Sequence, residues 1–420
     1  MNTLYLDKYI YGNPVSSKYY LVLFVLWPFL AFLVALADYS HKEAKKVVYV
    51  FLIYYGATTV VDVGYYIDAV GYALLLKEKS ILPFSDFFKI FSNLYSNSDS
   101  MDVLEPVLSF LVSRITTDHR MLFAIFAATF GFFYLKSINL LHRRYLKSPN
   151  LDALIFMGFF SLLLPVMAIS GFRMWTAMWI FLYAAYHVVT KRDMRYFILA
   201  FSAVLVHWSF VSVCGILVVY FFARNRDIIY IPLAIVSFIV PYLIAPFLTV
   251  ISLRMGGVFQ ERYDMYSNEA YASGVQDQLQ EAAWFMQIGN DLVMYFLLFA
   301  IIIIKFRFGD MMKGKTESNL FSFNLLLLTF VNVGKTVPSL GGRFQMLFFL
   351  FATMYVFLFF VKKPPGKTIS YLTLVGLFPM LLNTLIVIRQ GSDTINAWIF
   401  APGLGIPFFM QDINLASVLF

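Results

Sequence analysis

The chain has 420 residues, of which 60% are hydrophobic and only 13% charged. A soluble domain carries about twice that charge fraction, so a soluble enzyme, a secreted disulfide scaffold and a disordered chain are excluded. The formal charge of +8 is gathered in short clusters between apolar runs, as loops at a membrane require, and does not indicate nucleic acid.

In chain order, the first 18 residues are polar and aromatic and lack the pattern of a cleavable signal peptide. Apolar runs long enough to cross a bilayer follow at about 19–37, 46–61, 119–141, 151–170, 172–190, 228–250, 285–304, 319–337, 343–361 and 369–388. They predict an all-α, polytopic integral membrane protein of about ten full transmembrane helices, with residues 1–420 forming a single membrane domain. The one cysteine, Cys214, lies inside an apolar run, so no disulfide framework or cysteine metal site is expected.

Every second connection is basic: Lys42/Lys45/Lys46, Arg143/Arg144/Lys147, Lys191/Arg192/Arg195, Arg224/Arg226, Lys305/Arg307/Lys313/Lys315 and Lys362/Lys363/Lys367. The positive-inside bias puts these in the cytoplasm and both termini outside. Residues 196–222 are basic at both ends yet too short for two spans, which need roughly 40 residues. A short re-entrant hairpin with His207-Trp208 at its tip satisfies the charges. The alternative, one long tilted span, would invert everything downstream.

Two longer segments fall on the outer side. Residues 62–118 contain amphipathic stretches at 64–76 and 103–115, suited to an interface or a cavity wall. Residues 254–284 form a polar outer loop rich in Tyr, Glu and Gln. The tail 395–420 reads equally as an interfacial helix or a partial re-entry.

Arg173, Arg254, Arg262, Arg343 and Arg389 fall at outer helix ends, against the positive-inside bias, which points to an anionic ligand. The planar guanidinium suits phosphate and diphosphate oxygens. Pairing with Glu261, Asp264 or Glu105, or snorkelling at helix ends, is the alternative for each. Arg173 in SGFR and Arg343 in GGRF each follow glycine and precede an apolar run, so each is expected to cap a helix start, where backbone N–H groups also favour anions. His207 stands within an apolar run and could act as general base, bind phosphate, or be a satisfied core histidine. Asp62, Asp68 and Glu105 lie in the first outer segment and could take a hydroxyl proton if burial raised their affinity for it. Glu105 could equally complement the dipole of a short helix.

Other motifs fail. VNVGKTV at 331–337 lacks the upstream glycine and strand of a P-loop. No HExxH, CxxC pair or Asp-x-Asp is present, so no metal and no cofactor are expected.

Taken in order, several motifs carry a family pattern. An Asp with spaced tyrosines (Asp62, Tyr65, Tyr66, Asp68, Tyr72) is followed by Glu-Pro opening an amphipathic helix (Glu105, Pro106, Phe110). Then come SGFRxxxA (Ser170, Gly171, Phe172, Arg173, Ala177), AxxxHxS (Ala203, His207, Ser209) and GGRF (Gly341, Gly342, Arg343, Phe344). Over roughly residues 20–390 the chain resembles the EpsG-like branch of the bacterial Wzy-type polysaccharide polymerases. The resemblance implies a glycosyltransferase of the cytoplasmic (inner) membrane that joins undecaprenyl-diphosphate-linked oligosaccharide units at the outer face, without a metal. It implies Arg173, Arg343, Arg254 and Arg262 on the diphosphate, Glu105, Asp62 or His207 as base, and Tyr65, Tyr66 and Trp208 stacking on sugars. Membrane lipid and the lipid-linked oligosaccharide are the expected partners, with a chain-length regulator left open. A lipid-linked oligosaccharide flippase, an O-antigen ligase and a secondary transporter are the rival readings; the first and last would place functional charge nearer mid-depth.

Overall fold

The computed structural model describes residues 16–62, 68–92, 101–239, 254, 284–335, 338–364 and 368–419. Among these the chain is all-helical, and its one β contact is an isolated antiparallel bridge between Asn396 and Asn414. The helices are α1 (Ser17–Leu26), α2 (Pro28–Ala37), α3 (Lys42–Ala57), α4 (Asp68–Ile81), α5 (Asp86–Ser92), α6 (Leu104–Ser113), α7 (His119–Tyr145), α8 (Leu151–Leu163) and α9 (Phe172–Lys191). They continue as α10 (Arg195–Val206), α11 (Phe210–Ala223), α12 (Asp227–Val236), α13 (Trp284–Arg307), α14 (Lys315–Gly334), α15 (Pro338–Lys362), α16 (Tyr371–Gly391), α17 (Ile406–Phe409) and α18 (Leu415–Leu419).

Five stretches among the described residues are long and apolar enough to cross a bilayer: His119–Tyr145, Leu151–Lys191, Ile288–Arg307, Gly341–Lys362 and Tyr371–Gly391. That makes the chain a membrane protein; these five stretches do not by themselves confirm the expected ten full spans. Pro28, which has no N–H to donate, splits the first apolar run into α1 and α2 at Trp27. The second run yields only the 16 residues of α3, whose first turn is charged. The runs 151–170 and 172–190 join through a 3-10 turn, Val166–Gly171, into one stretch of 41 residues. In α14 the buried Asn319, Asn324 and Asn332 dilute the apolar character, and the run 228–250 passes beyond the described residues after Ile239.

The basic clusters collect at one end of the bundle. There Lys305 pairs with Asp227 at 3.1 Å and Lys362 with Glu317 at 3.1 Å, Arg144 bonds the Tyr186 hydroxyl at 3.2 Å, and the Asn150 amide reaches the Phe360 carbonyl at 3.3 Å. At the centre, α9 and α15 are buried almost throughout. α9 packs on α7, α10 and α14, and α15 packs on α8, α13 and α14. Gly56 lets α3 approach α7 so closely that a Cβ there would overlap the Phe123 carbonyl and the Ala127 methyl.

Residues 195–223 form two antiparallel arms. Phe197 packs on Phe221 with ring centroids 5.2 Å apart, and Cys214 Sγ meets the Ala200 carbonyl at 3.3 Å. His207, Trp208 and Ser209 make the turn between them. The C-terminal tail folds over the opposite end from the basic loops. Its Gly403 and Leu404 N–H groups donate to the Leu26 and Val25 carbonyls at 2.7 and 3.0 Å, acceptors left open by the Trp27–Pro28 break. Gly403 has φ +106, which glycine adopts without strain.

Candidate functional site

The site forms where three separate pieces of chain meet at the end remote from the basic loops. Residues 101–103 run beside the tip of the α10–α11 pair, with the Val103 N–H donating to the Leu205 carbonyl at 2.8 Å. This docks the Asp102 carboxylate on the turn. Its Oδ1 accepts the Trp208 N–H at 2.8 Å, and its Oδ2 lies 3.0 Å from His207 Nδ1. Arg173 Nη1 donates to the same Oδ2 at 3.2 Å.

Arg173 is the second residue of α9, and its approach is set by its neighbours. Phe172 stacks flat on Phe126 of α7, centroids 3.8 Å apart. Gly171 has space for no side chain, since a Cβ would sit 2.8 Å from the Trp175 indole nitrogen with the Asp68 carboxylate 3.9 Å away. Arg173 Nε donates to the Tyr72 hydroxyl at 3.3 Å, and the guanidinium carbon lies 5.8 Å from the Tyr72 ring centre. Two of its five N–H donors are thus engaged among the described residues. Its side chain keeps 38% exposure while that of Asp102 keeps 6%, so the remaining donors face open space.

Asp102 is held as a carboxylate. Burial pushes its proton affinity up, but the bond to and charge of His207, the Trp208 N–H and the Arg173 guanidinium outweigh burial and leave it below the usual aspartate range. With that carboxylate at Nδ1, the imidazole is set to carry its Nδ1 proton there and present Nε2 outward. The arrangement can orient a base beside a cation with spare donors.

Glu105 lies in the first turn of α6 and is buried. It accepts from Ser109 Oγ at 2.5 Å, and Lys79 of α4 stands 3.6 Å away. Burial lowers the Lys79 ammonium's hold on its proton, and the charge of Glu105 opposes that shift. The Lys79 contact ties α4 to α6.

A cavity of 280 Å³ lies at the start of α9, lined by Ser170, Trp175, Asn290, Gly342, Gln345 and Asn383 among others, though not by Arg173, Asp102 or His207 themselves. Asn383 is 1% exposed, and its Nδ2 has no hydrogen-bond partner among the described residues. Ser170 and Trp175 flank Arg173 in sequence, and Gly342 precedes Arg343, so the first turn of α9 and the second turn of α15 both front the cavity.

The other expected residues divide. Arg343 is exposed but does not cap a helix start: α15 begins at Pro338, so the Gly pair lies inside the helix and Arg343 in its second turn. Phe344 is buried against Phe210 at 5.2 Å and Phe330 at 5.4 Å, which ties this helix to the hairpin tip. Arg389 pairs with Asp393 four residues on, at 3.2 Å, an ordinary helical ion pair. Asp62 is exposed in the segment after α3, and Arg254 is exposed. Trp208 is half-buried at the hairpin tip, its N–H on Asp102. Tyr65, Tyr66 and Arg262 lie outside the described residues. Reading the sequence missed Asp102 as the hub. Its one local signal is an acid two residues before the apolar run at 104–112, which is common at helix starts. Trp175 and Asn383 were missed as well, being apolar-run residues with no distinguishing neighbours. Among the described residues no three His, Cys, Asp or Glu side chains converge as metal ligands would.

A family model, that of the EpsG family, matches residues 84–396, well over half of the chain, and spans Asp102, Glu105, Arg173, His207 and Arg343. The chain belongs to the EpsG family. Membership in the EpsG family suggests an exopolysaccharide-related polymerase. No curated protein and no solved structure matches the chain.

Proposed function

We propose that this EpsG-family chain joins undecaprenyl-diphosphate-linked oligosaccharide units into a polysaccharide by glycosyl transfer at the outer face of the cytoplasmic membrane. The observation that carries the reading is that Arg173 and His207 meet on one oxygen of Asp102. A diphosphate leaving group needs cationic donors where its charge develops, and an acceptor hydroxyl needs a base nearby. The spare N–H groups of Arg173 suit the first need and Nε2 of His207 the second. The anomeric C–O bond to the diphosphate breaks as the acceptor oxygen bonds to that carbon. The hydroxyl proton passes to His207, and the lipid diphosphate departs with the electron pair. Arg343, exposed on the facing helix, adds a second fork for the diphosphate.

The neighbouring cavity suits the sugar of the acceptor. An indole face with carboxamides from Asn290, Gln345 and Asn383 is the mix of apolar and hydrogen-bonding surface that a pyranose presents. Orientation follows from the basic loops: with Arg144, Lys191, Arg224 and Lys362 at the opposite end, the site faces outward.

Deleting the gene in its host and resolving the surface glycan on a gel tests this reading. Collapse of a ladder to a single repeat unit, restored by the wild-type chain but not by His207→Ala, is the expected result. Lipid-linked units trapped inside would establish a flippase instead, and long chains accumulating on the carrier would establish a ligase.

A further inference from the structure

A second cavity lies at the opposite end of α9 from Arg173, roughly 30 Å away along a helix of 20 residues. It has a volume of 780 Å³ and sits where α9 and α11 end and α14 begins. Four cationic side chains line it, Arg192, Arg224, Arg226 and Lys315, and no carboxylate does. The nearest acids are engaged elsewhere: Asp227 with Lys305, Glu317 with Lys362, and Asp193 with Arg195. None of the four cations takes part in an ion pair among the described residues.

The pocket is held in shape by a chain of hydrogen bonds. The Tyr220 hydroxyl donates to Asn225 Oδ1 at 2.8 Å, Asn225 Nδ2 to Asn319 Oδ1 at 2.8 Å, and Asn319 Nδ2 to the Val189 carbonyl at 2.7 Å. Arg192 is fixed over the Phe221 ring and bonds its carbonyl at 3.3 Å. Two of the four cations also stand on unusual backbone. Arg192 has φ 57 and ψ 31, and Arg224 has φ 59 and ψ −148, a region that glycine alone occupies readily. Both close helices at the position where glycine is the common residue. A long cationic side chain at each place, kept against the backbone preference, is an arrangement that packing alone does not call for.

We infer that this pocket binds the phosphate of an anionic ligand at the basic end of the bundle. Guanidinium forks match phosphate oxygens, and several converging cations without a counter-acid require an anion. The headgroup of an anionic phospholipid and a soluble phosphate compound share that chemistry. Phe222, lining the pocket and 77% exposed, offers apolar surface for acyl chains beside the headgroup. The site is separate from the glycosyl-transfer reading and stands whether or not that reading holds.

The test uses the purified full chain in neutral detergent. Its thermal unfolding is followed while phosphatidylglycerol, phosphatidylcholine or inorganic pyrophosphate is titrated in. Phosphatidylglycerol raises the midpoint of the wild type and phosphatidylcholine does not. Arg224→Gly relieves the backbone and removes a cation, so it starts from an equal or higher midpoint yet needs about tenfold more phosphatidylglycerol for the same shift. Arg226→Gln, at an exposed side chain, shows the same weakened response independently of backbone relief. A shift from pyrophosphate, without one from phosphatidylglycerol, supports the phosphate site and assigns it to a soluble ligand. If neither phosphate compound shifts the wild type, or both variants respond at wild-type concentrations, the inference is overturned.

Discussion

His207 Nδ1 lies 3.0 Å from Asp102 Oδ2, although 105 positions of chain separate the two residues. The contact closes the end of the α10–α11 pair against the outer segment. It leaves one imidazole nitrogen bound and the other available. In the glycosyl transfer proposed above, Asp102 is a positioning residue, acting on the acceptor through His207 and on the diphosphate through Arg173.

Asp102→Asn keeps the size of the side chain but removes the charge that orients both partners. Elongation should fall by about 100-fold or more, the scale of a misplaced general base, while Trp208 still finds an oxygen to bond. Chain-length distributions from membranes of equal protein content provide the measurement. Near-normal elongation in the variant would remove Asp102 from the mechanism.

The depressed proton affinity of Asp102 has a definite sign. A carboxyl with a lowered native value contributes stability that is complete above the usual aspartate value of about 3.9 and is lost as pH falls through the lower native value. Asp102 should therefore stay ionised from pH 8 down to pH 5. An infrared difference spectrum of wild type minus Asp102→Asn should show a carboxylate band throughout that range, and a protonated carboxyl band at pH 5 would contradict it.

Arg173→Lys retains the charge but cannot span Tyr72, Asp102 and an anion together. A loss of about 100-fold in elongation is expected, comparable to removing one donor from a developing oxyanion. Arg343→Ala should lower elongation without lowering the unfolding midpoint, because its side chain is exposed. Should both variants build long chains, the diphosphate clamp is wrong.

Asn383→Leu separates binding from folding. The Nδ2 of Asn383 has no partner among the described residues, so an apolar side chain of similar size should leave the fold equally or more stable. The KM for the acceptor unit should rise about tenfold if that nitrogen serves the glycan. An unchanged KM would exclude the cavity as the acceptor subsite.

Gly56→Ala tests the packing of α3 on α7. The new methyl meets the Phe123 carbonyl and Ala127, and overpacking of this kind costs about 1–3 kcal/mol. A fall in the midpoint of thermal unfolding reads it out.

The buried Cys214 leaves cysteine labelling with little background. A cysteine at the exposed Thr117 should react with an impermeant maleimide in intact cells, and one at the exposed Lys313 only after permeabilisation. The reverse pattern would invert the membrane orientation.

Helical class, membrane residence and the basic end of the bundle were legible in the sequence, because hydropathy and loop charge are properties of adjacent residues. Arg173 and His207 stood out for the same reason, as charged or polar groups inside apolar runs. What joins them did not. Asp102 looks like any acid before a helix until residues 101–103 dock on the hairpin tip, 71 positions from Arg173 and 105 from His207. Local pattern likewise set Arg343 at a helix start, whereas the start at Pro338 and the breaks at Trp27 and Val166–Gly171 depend on which carbonyls and side chains other segments supply. The tail's N–H groups on Leu26 and Val25 make the Pro28 break tolerable. Such compensation is a property of the packed bundle, where polar groups without water must find partners from distant chain.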